Sequence, residues 1–315
     1  MRFTKFYIVH FGSDLRRISI VIVDCHVHSL GNGAVDSVLK GMDSAGIDKA
    51  VIFSPYPASV PSESIIPKAS AGVTRHLEFS YPSVTSEKQK EAVEFIAGLQ
   101  REAPDRIIGF IWLEPRLRDA VQILEWAVSS REVRGVKMIP DHWYPYDEFM
   151  YPIYEKVEEL GVPIIFHSGI LFGFKDSSRF CRPVNYEVLL SFPDLKFALA
   201  HVSWPWIDEC LALRGRFRAF LREIMGEKKE MQMFIDITLG TPLMYRREAL
   251  QKLIAYGAED YMLFGTDCIA DRLSFGRQHI ERDQAILKQI IGVSDETVRK
   301  IMGGNALRFL ELSKI

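Results

Sequence analysis

Ile20-Val21-Ile22-Val23-Asp24-Cys25-His26-Val27-His28 carries an apolar, β-branched run directly into two histidines separated by one residue. Alternate residues of a strand share a face. The spacing therefore predicts Asp24, His26 and His28 side by side where a buried strand runs out, with Cys25 on the opposite face as a packed thiol. Two imidazoles so placed can chelate one cation, and neutral imidazole is the commonest metal ligand. A lone His-x-His motif is weak, so the rest of the chain decides its meaning.

Seven further apolar runs come after it, each with a longer amphipathic stretch behind. The strand candidates are residues 19–23, 49–53, 106–112, 135–139, 163–166, 196–200, 231–237 and 261–264. The helix candidates are 35–45, 87–101, 117–128, 149–160, 184–191, 205–225, 243–256 and 275–290, and Gly46, Gly161 and Gly257 sit where C-terminal caps belong. Apolar strands alternating with helices predict a parallel sheet, and eight repeats in one chain predict a single closed (β/α)₈ barrel. An open doubly wound sheet is the competing arrangement, but no glycine-rich dinucleotide loop or phosphate-binding loop follows the first strand. The division expected is a short extension over residues 1–18 and a barrel over 19–315. The segment between Ser54 and Ser86 lacks periodicity and contains Pro55, Pro57, Pro61, Pro67 and Pro82. It is expected to be a lid, a subunit contact or a tolerated insertion on the barrel's active face.

Bulk properties narrow the function classes. The 315 residues are 48% hydrophobic and 25% charged with a net charge of −2, so no basic footprint for nucleic acid is present. No apolar run is long enough for a membrane-spanning helix, and the first 17 residues do not read as a signal peptide. Four scattered cysteines (Cys25, Cys181, Cys210, Cys268) without a C-x-x-C pair suit a reducing compartment, and the chain is expected to be cytoplasmic. The partner expected is a small-molecule substrate, with a homo-oligomer left open.

The same end of the barrel collects more chemistry. The fifth strand candidate ends in His167, the sixth in His201, and the eighth in Gly265-Thr266-Asp267. Barrel enzymes take their catalytic groups from this rim. His26, His28 and His167 offer neutral nitrogens and Asp267 an anionic oxygen, a set that suits one Zn²⁺, with Mn²⁺, Fe²⁺ or Co²⁺ as alternatives. Such a cation lowers the pKa of a water towards ~7. Asp267 is then expected to accept a proton, and His201 to polarise a substrate carbonyl. Asp24 is expected behind the ligands, orienting them or anchoring the end of the barrel.

These motifs, together with Gly304-Asn305-Ala306-Leu307-Arg308-Phe309, resemble the amidohydrolase superfamily, specifically its amidohydrolase-2 branch, over about residues 20–312. That branch includes metal-dependent hydrolases and aminocarboxymuconate-semialdehyde decarboxylase. The resemblance implies a (β/α)₈ barrel with a divalent metal, usually zinc, on the strand-one histidines, the strand-five histidine and the strand-eight aspartate. Some superfamily members bridge two metals through a carboxylated lysine on strand four. Lys137 occupies that place here and is expected to bridge, to bind a substrate carboxylate, or to pair with a buried acid. Val202-Ser203-Trp204-Pro205-Trp206 departs from the glycine-rich stretch often found there in the decarboxylases.

Around the rim, Trp204 and Trp206 either wall a planar substrate or pack the next helix. Arg179 and Arg182 either clamp a carboxylate or pair with nearby acids. His142 either reaches substrate or lies at the surface, and Glu114 and Asp236 approach the rim as supporting hydrogen-bonding groups. The function expected is a metal-dependent hydrolase of a C–N or C–O bond in a small, carboxylated or cyclic substrate. A non-oxidative decarboxylase of an aromatic or unsaturated acid is the alternative. A catalytically inactive binding barrel would require ligand loss, and all four candidate ligands are present.

Overall fold

A computed structural model of the protein describes residues 20–57, 84–172, 177–226 and 232–312. The expectations for residues 1–18 and for most of the segment after the second strand lie outside the described residues. One parallel sheet contains β1 (Val23–His28), β2 (Lys49–Phe53), β3 (Ile107–Trp112), β4 (Gly135–Met138), β5 (Ile164–Phe166), β6 (Phe197–Leu199), β7 (Met233–Asp236), β8 (Met262–Leu263) and β9 (Cys268–Ile269). Their order is β8-β7-β6-β5-β4-β3-β2-β1-β9. β8 and β9 are two halves of one path, broken at residues 264–267. β8 pairs with β7 through Asp236 and Leu263, while β9 pairs with β1 through Val27 and Cys268. Within the break, Cys25 N donates to Phe264 O at 2.9 Å and Asp267 N donates to His26 O at 2.9 Å. The last strand therefore bonds the first, and the sheet closes as a (β/α)₈ barrel.

Strand residues sort by parity into two apolar layers. Ile107, Ile111, Val136, Met138, Ile164, Phe166 and Leu199 point outward into the core beneath the helices. Val51, Phe53, Ile108, Phe110, Ile165, Ala198, Phe234 and Leu263 fill the barrel interior. Continuous apolar strands are what burial on both faces demands. Ala306, Leu307 and Phe309, from the short C-terminal helix Asn305–Phe309, join the interior cluster. That Gly-Asn-Ala-Leu-Arg-Phe motif thus packs the barrel at the opposite end from the histidines.

The longer helices among the described residues are α1 (Val35–Ala45), α2 (Ser86–Glu102), α3 (Ala120–Arg131), α4 (Tyr151–Leu160), α5 (Ile207–Phe220), α6 (Leu243–Ala255) and α7 (Gly276–Ala285). Gly46 and Gly161 close α1 and α4 in left-handed conformation, at φ 78° and 66°. The connection after β5 is a 3₁₀ stretch, Pro183–Ser191, where the pattern predicts an ordinary helix. No helix among the described residues is long and apolar enough to cross a membrane.

Candidate active site

The first strand departs from the simple alternation that its sequence predicts. Val23 pairs with Lys49 and Asp24 with Ala50, but Val27 pairs with Ile52, so three β1 steps oppose two on β2. This β-bulge inserts one residue and reverses the facing of the strand beyond it. Val23 and Cys25 lie in the interior cluster, whereas Ile22 and Val27 lie in the outer core. Past the bulge, His26 and His28 face inward, their rings 4.7 and 5.3 Å from that of Phe53. Two expectations are corrected. Cys25 does not point away from the histidines, and Asp24 does not share their face but has the parity of Ile22.

Asp24 instead ties the first strand to the last. Its Oδ1 accepts from His26 N at 3.1 Å and Thr266 N at 3.0 Å, and its Oδ2 accepts from Thr266 Oγ1 at 2.6 Å. Burial pushes this carboxyl up to about 7, against the hydrogen bonds from Thr266 and His26. The next residue, Asp267, is held at φ 60°. Its Oδ1 lies 3.2 Å from His28 Nε2 and 3.5 Å from His26 Nε2, and its side chain is 31% exposed. Burial alone would raise Asp267, but the His28 hydrogen bond and the electrostatic pull of neighbouring His26, His28 and Lys137 outweigh it and hold the carboxyl at about 2. Asp267 is thus an anion that solvent can reach.

His201 is also delivered by unusual backbone. His201, Val202 and Ser203 occupy consecutive left-handed conformations, with φ of 61°, 51° and 55°. Each costs ~1–2 kcal/mol for an L-residue, most acutely for β-branched Val202. Long-range bonds hold the turn: Thr241 Oγ1 donates to His201 O at 3.2 Å, and Ile170 N donates to Trp204 O at 2.8 Å. Gly240 makes room for the ring, because a Cβ there would fall 2.4 Å from His201 Cγ. The His201 ring centre lies 4.9 Å from that of His26 and 4.8 Å from that of His167. His167 Nε2 lies 3.2 Å from Ile170 O, which it serves as a donor.

Two buried ionisable groups flank the His26 ring on opposite edges. Lys137 enters from β4 with Nζ 3.3 Å from His26 Nε2 and 4.8 Å from the centre of the Phe53 ring. Asp236, at the end of β7, lies 2.5 Å from His26 Nδ1 through its Oδ2. Burial lowers Lys137 while Asp236 and Asp267 pull it back up, and burial raises Asp236 while Lys137 opposes it. Burial, then the Lys137 charge, holds His167 down at about 3. Burial likewise drives His26 and His201 well below the usual imidazole range. The cluster therefore offers neutral imidazoles beside an anionic carboxylate.

That donor chemistry fits a divalent cation. One ligand atom from each of His26, His201 and Asp267 lies within 4.8 Å of the others. His28 touches Asp267 from the open side, and the buried His201 Nδ1 has no hydrogen-bond partner among the described residues. Two nitrogens and a carboxylate suit Zn²⁺ or Mn²⁺. Convergence is tighter for His201, read from sequence as a catalytic group, than for His28 and His167, read as ligands.

Other rim candidates lie apart from this cluster. Trp204 packs on the outer core and stacks on Tyr245 at 5.8 Å. Trp206 lies under the Arg182 guanidinium, which pairs with Glu209 at 2.5 Å, and exposed Arg179 lies against Phe180. His142 is not a surface group: its Nδ1 is 2.5 Å from Asp141 Oδ1 and its Nε2 3.3 Å from Glu114 Oε1. The aromatic groups beside His28 are Phe53 and Trp112, with Tyr56 packed on Trp112. Sequence reasoning missed this wall, although Trp112 ends the third apolar run much as His167 ends the fifth. Gly240 was missed as well, since nothing local distinguishes it.

The amidohydrolase family profile matches residues 23–312. No curated protein matches the sequence. Among solved structures, the chain resembles 5-carboxyvanillate decarboxylase from Novosphingobium aromaticivorans, complexed with manganese and 4-hydroxy-3-methoxy-5-nitrobenzoic acid. The identity is 14%, with 94% of this chain and 97% of that one covered, at a TM-score of 0.60. It also resembles 2,6-dihydroxybenzoate decarboxylase complexed with 2,6-dihydroxybenzoate (16% identity, 93% and 98% covered, TM-score 0.62). A third is a probable 2-pyrone-4,6-dicarboxylic acid hydrolase from Acinetobacter baumannii with citric acid bound (13% identity, 92% and 99% covered, TM-score 0.55). These likenesses show a shared fold. With the profile spanning nearly the whole barrel and the histidine–aspartate cluster at its mouth, the chain belongs to the amidohydrolase family.

Proposed function

We propose that the protein is a metal-dependent hydrolase of a C–N or C–O bond in a small, carboxylated or cyclic molecule. The observation that carries this reading is the placing of Asp267, anionic and open to solvent, against neutral His26 and beside His28 at the barrel mouth. His26, His28, His167 and Asp267 would hold one divalent cation, Zn²⁺ before Mn²⁺, with His201 in reach of the same point. When bound, the cation supplies Lewis acidity and a water acidic enough to ionise near neutral pH. Asp267 accepts the proton from the attacking water. Neutral His201, donating a hydrogen bond, stabilises negative charge developing on the substrate oxygen. Lys137, as an ammonium, counters the charge of the carboxylates around it. The four cysteines are free, which fits work in the reducing cytoplasm.

One observation favours a second reading, decarboxylation of an aromatic acid. Trp112, Ile139, Leu171 and Cys181 form an apolar cluster with Tyr56 against it, and Trp112 lies beside His28. Such a wall suits a planar ring, and two of the solved relatives are decarboxylases of hydroxylated benzoates. The test loads the purified protein with zinc or manganese and offers lactones, cyclic amides and hydroxybenzoates. Acid release without CO₂ is expected. Stoichiometric CO₂ from a hydroxybenzoate, with no hydrolysis of the other compounds, would transfer the assignment to the second reading.

A further inference from the structure

Asp236 lies 210 positions from His26 in the chain, yet it makes the shortest contact to that ring, 2.5 Å between Oδ2 and Nδ1. Its other oxygen is fully engaged. Oδ1 accepts from Thr238 N at 2.7 Å and also from Thr238 Oγ1. Thr238 is itself held, since Arg246 Nη1 donates to its carbonyl at 3.1 Å, and Arg246 is paired with Asp283 by Nε at 3.1 Å and by Nη2. All of these side chains are buried. On the far side of the imidazole, the Lys137 ammonium sits 3.3 Å from Nε2. With Lys137 as the donor, that contact uses the lone pair on Nε2 and goes with the proton on Nδ1; Asp267 Oδ1, at 3.5 Å, is the more distant neighbour of Nε2. Two contacts, on opposite edges of one ring, with Asp236 accepting and Lys137 donating, are thus met by the same tautomer.

We infer that Asp236 is the positioning residue that locks His26 as its Nδ1-protonated tautomer and thereby keeps Nε2 free to bind the cation. This inference rests on the metal reading proposed above only for its last clause; the tautomer belongs to the metal-free protein. Partners behind a metal-binding imidazole fix its orientation and basicity, and their loss costs ~10–100-fold in metal affinity.

The Thr238 backbone N–H makes the prediction sharp. Because it can only donate, an asparagine at position 236 must turn its amide oxygen towards Thr238. Its NH₂ group then faces His26 Nδ1, which must become the acceptor, and the ring proton moves to Nε2. Asp236→Asn, although isosteric, therefore enforces the wrong tautomer. Asp236→Ala leaves a small cavity but lets the ring choose.

The experiment uses ¹⁵N-labelled full-length protein, stripped of metal, with imidazole resonances assigned by His26→Gln. Wild type is expected to show an Nδ1-protonated His26, Asp236→Asn an Nε2-protonated one, and Asp236→Ala a mixture. Zinc affinity, measured by chelator competition, is expected to fall by ~10–100-fold in Asp236→Asn and by less in Asp236→Ala. A role in packing alone predicts the reverse order, because alanine removes more contacts than asparagine. An Nε2-protonated His26 in wild type, an unchanged tautomer in Asp236→Asn, or an alanine variant weaker for zinc than the asparagine variant would each overturn the inference. A wild-type protein that binds no zinc but shows these tautomers would sink the metal reading and leave the positioning role standing.

Discussion

Gly240→Ala probes how finely His201 is placed. An alanine Cβ would lie 2.4 Å from His201 Cγ, 2.5 Å from its Cβ and 2.6 Å from its Nδ1. Ordinary carbon–carbon contact needs ~3.5–4.0 Å, so the ring or the loop must move by about 1 Å. Gly240 is not among the residues with positive φ, so the substitution adds no backbone strain there. The loop is tethered by Gly240 N donating to Thr238 O at 3.0 Å and by Thr241 Oγ1 donating to His201 O at 3.2 Å. The ring is therefore expected to yield. Overpacking of this kind costs ~1–3 kcal/mol of stability. A misplacement of ~1 Å at a reacting centre costs ~10²-fold in rate. The variant is expected to lose about 100-fold in kcat/KM on the best substrate from the panel, with a melting temperature only a few degrees lower. Gly98→Ala is the control, since its Cβ meets nothing within 4 Å and it lies inside α2. That change is expected to be neutral or to stabilise by ~0.5–1 kcal/mol. Gly240→Ala with kcat/KM within twofold of wild type would refute the steric reasoning.

Three other outcomes are expected. Burial alone would lower His142, but its hydrogen bonds to Asp141 and Glu114 outweigh this and raise it to about 9, from an ordinary 6.5. A raised folded-state pKa gives a stabilisation that is full below pH 6.5 and lost as pH rises through about 9. Urea melts of wild type and His142→Gln should therefore converge over that window, and parallel curves would count against it. Arg246→Ala leaves buried Asp283 with Arg282 Nε at 2.9 Å and is expected to cost about 3 kcal/mol, the lower end for breaking a buried pair. Thermal melts should show Arg246→Met with Asp283→Leu recovering most of that loss; a double variant no better than the single would contradict it. Chelation should abolish activity and lower the melting temperature, with zinc at a hundred times its Kd restoring ~2.7 kcal/mol. A melting curve indifferent to zinc would argue against a resident metal.

Much of the barrel was legible because parallel strands buried on both faces must be apolar throughout, and that signal is local. The second strand, Lys49–Phe53, and the first helix, Val35–Ala45, match their expected bounds. The boundaries that moved did so for tertiary reasons. The first strand runs on to His28 because Val27 and His28 pair with Cys268 and Ile269 once the ring closes. The C-terminal helix Asn305–Phe309 was not anticipated, because its packing partners are strands distant in the chain.

By itself, the amino-acid sequence determined that histidines and a carboxylate stand at the ends of apolar runs, and hence on one rim of a closed barrel. Periodicity and side-chain type suffice for that. Only the tertiary structure decided which atoms converge. A one-residue bulge in β1, left-handed backbone at His201 and Asp267, and Asp236 reaching back to His26 leave no local signature. Left-handed conformation at a histidine, a valine or an aspartate is disfavoured locally and persists only because distant hydrogen bonds impose it. The chemistry was written in residue types, and its geometry in the closure of the ring.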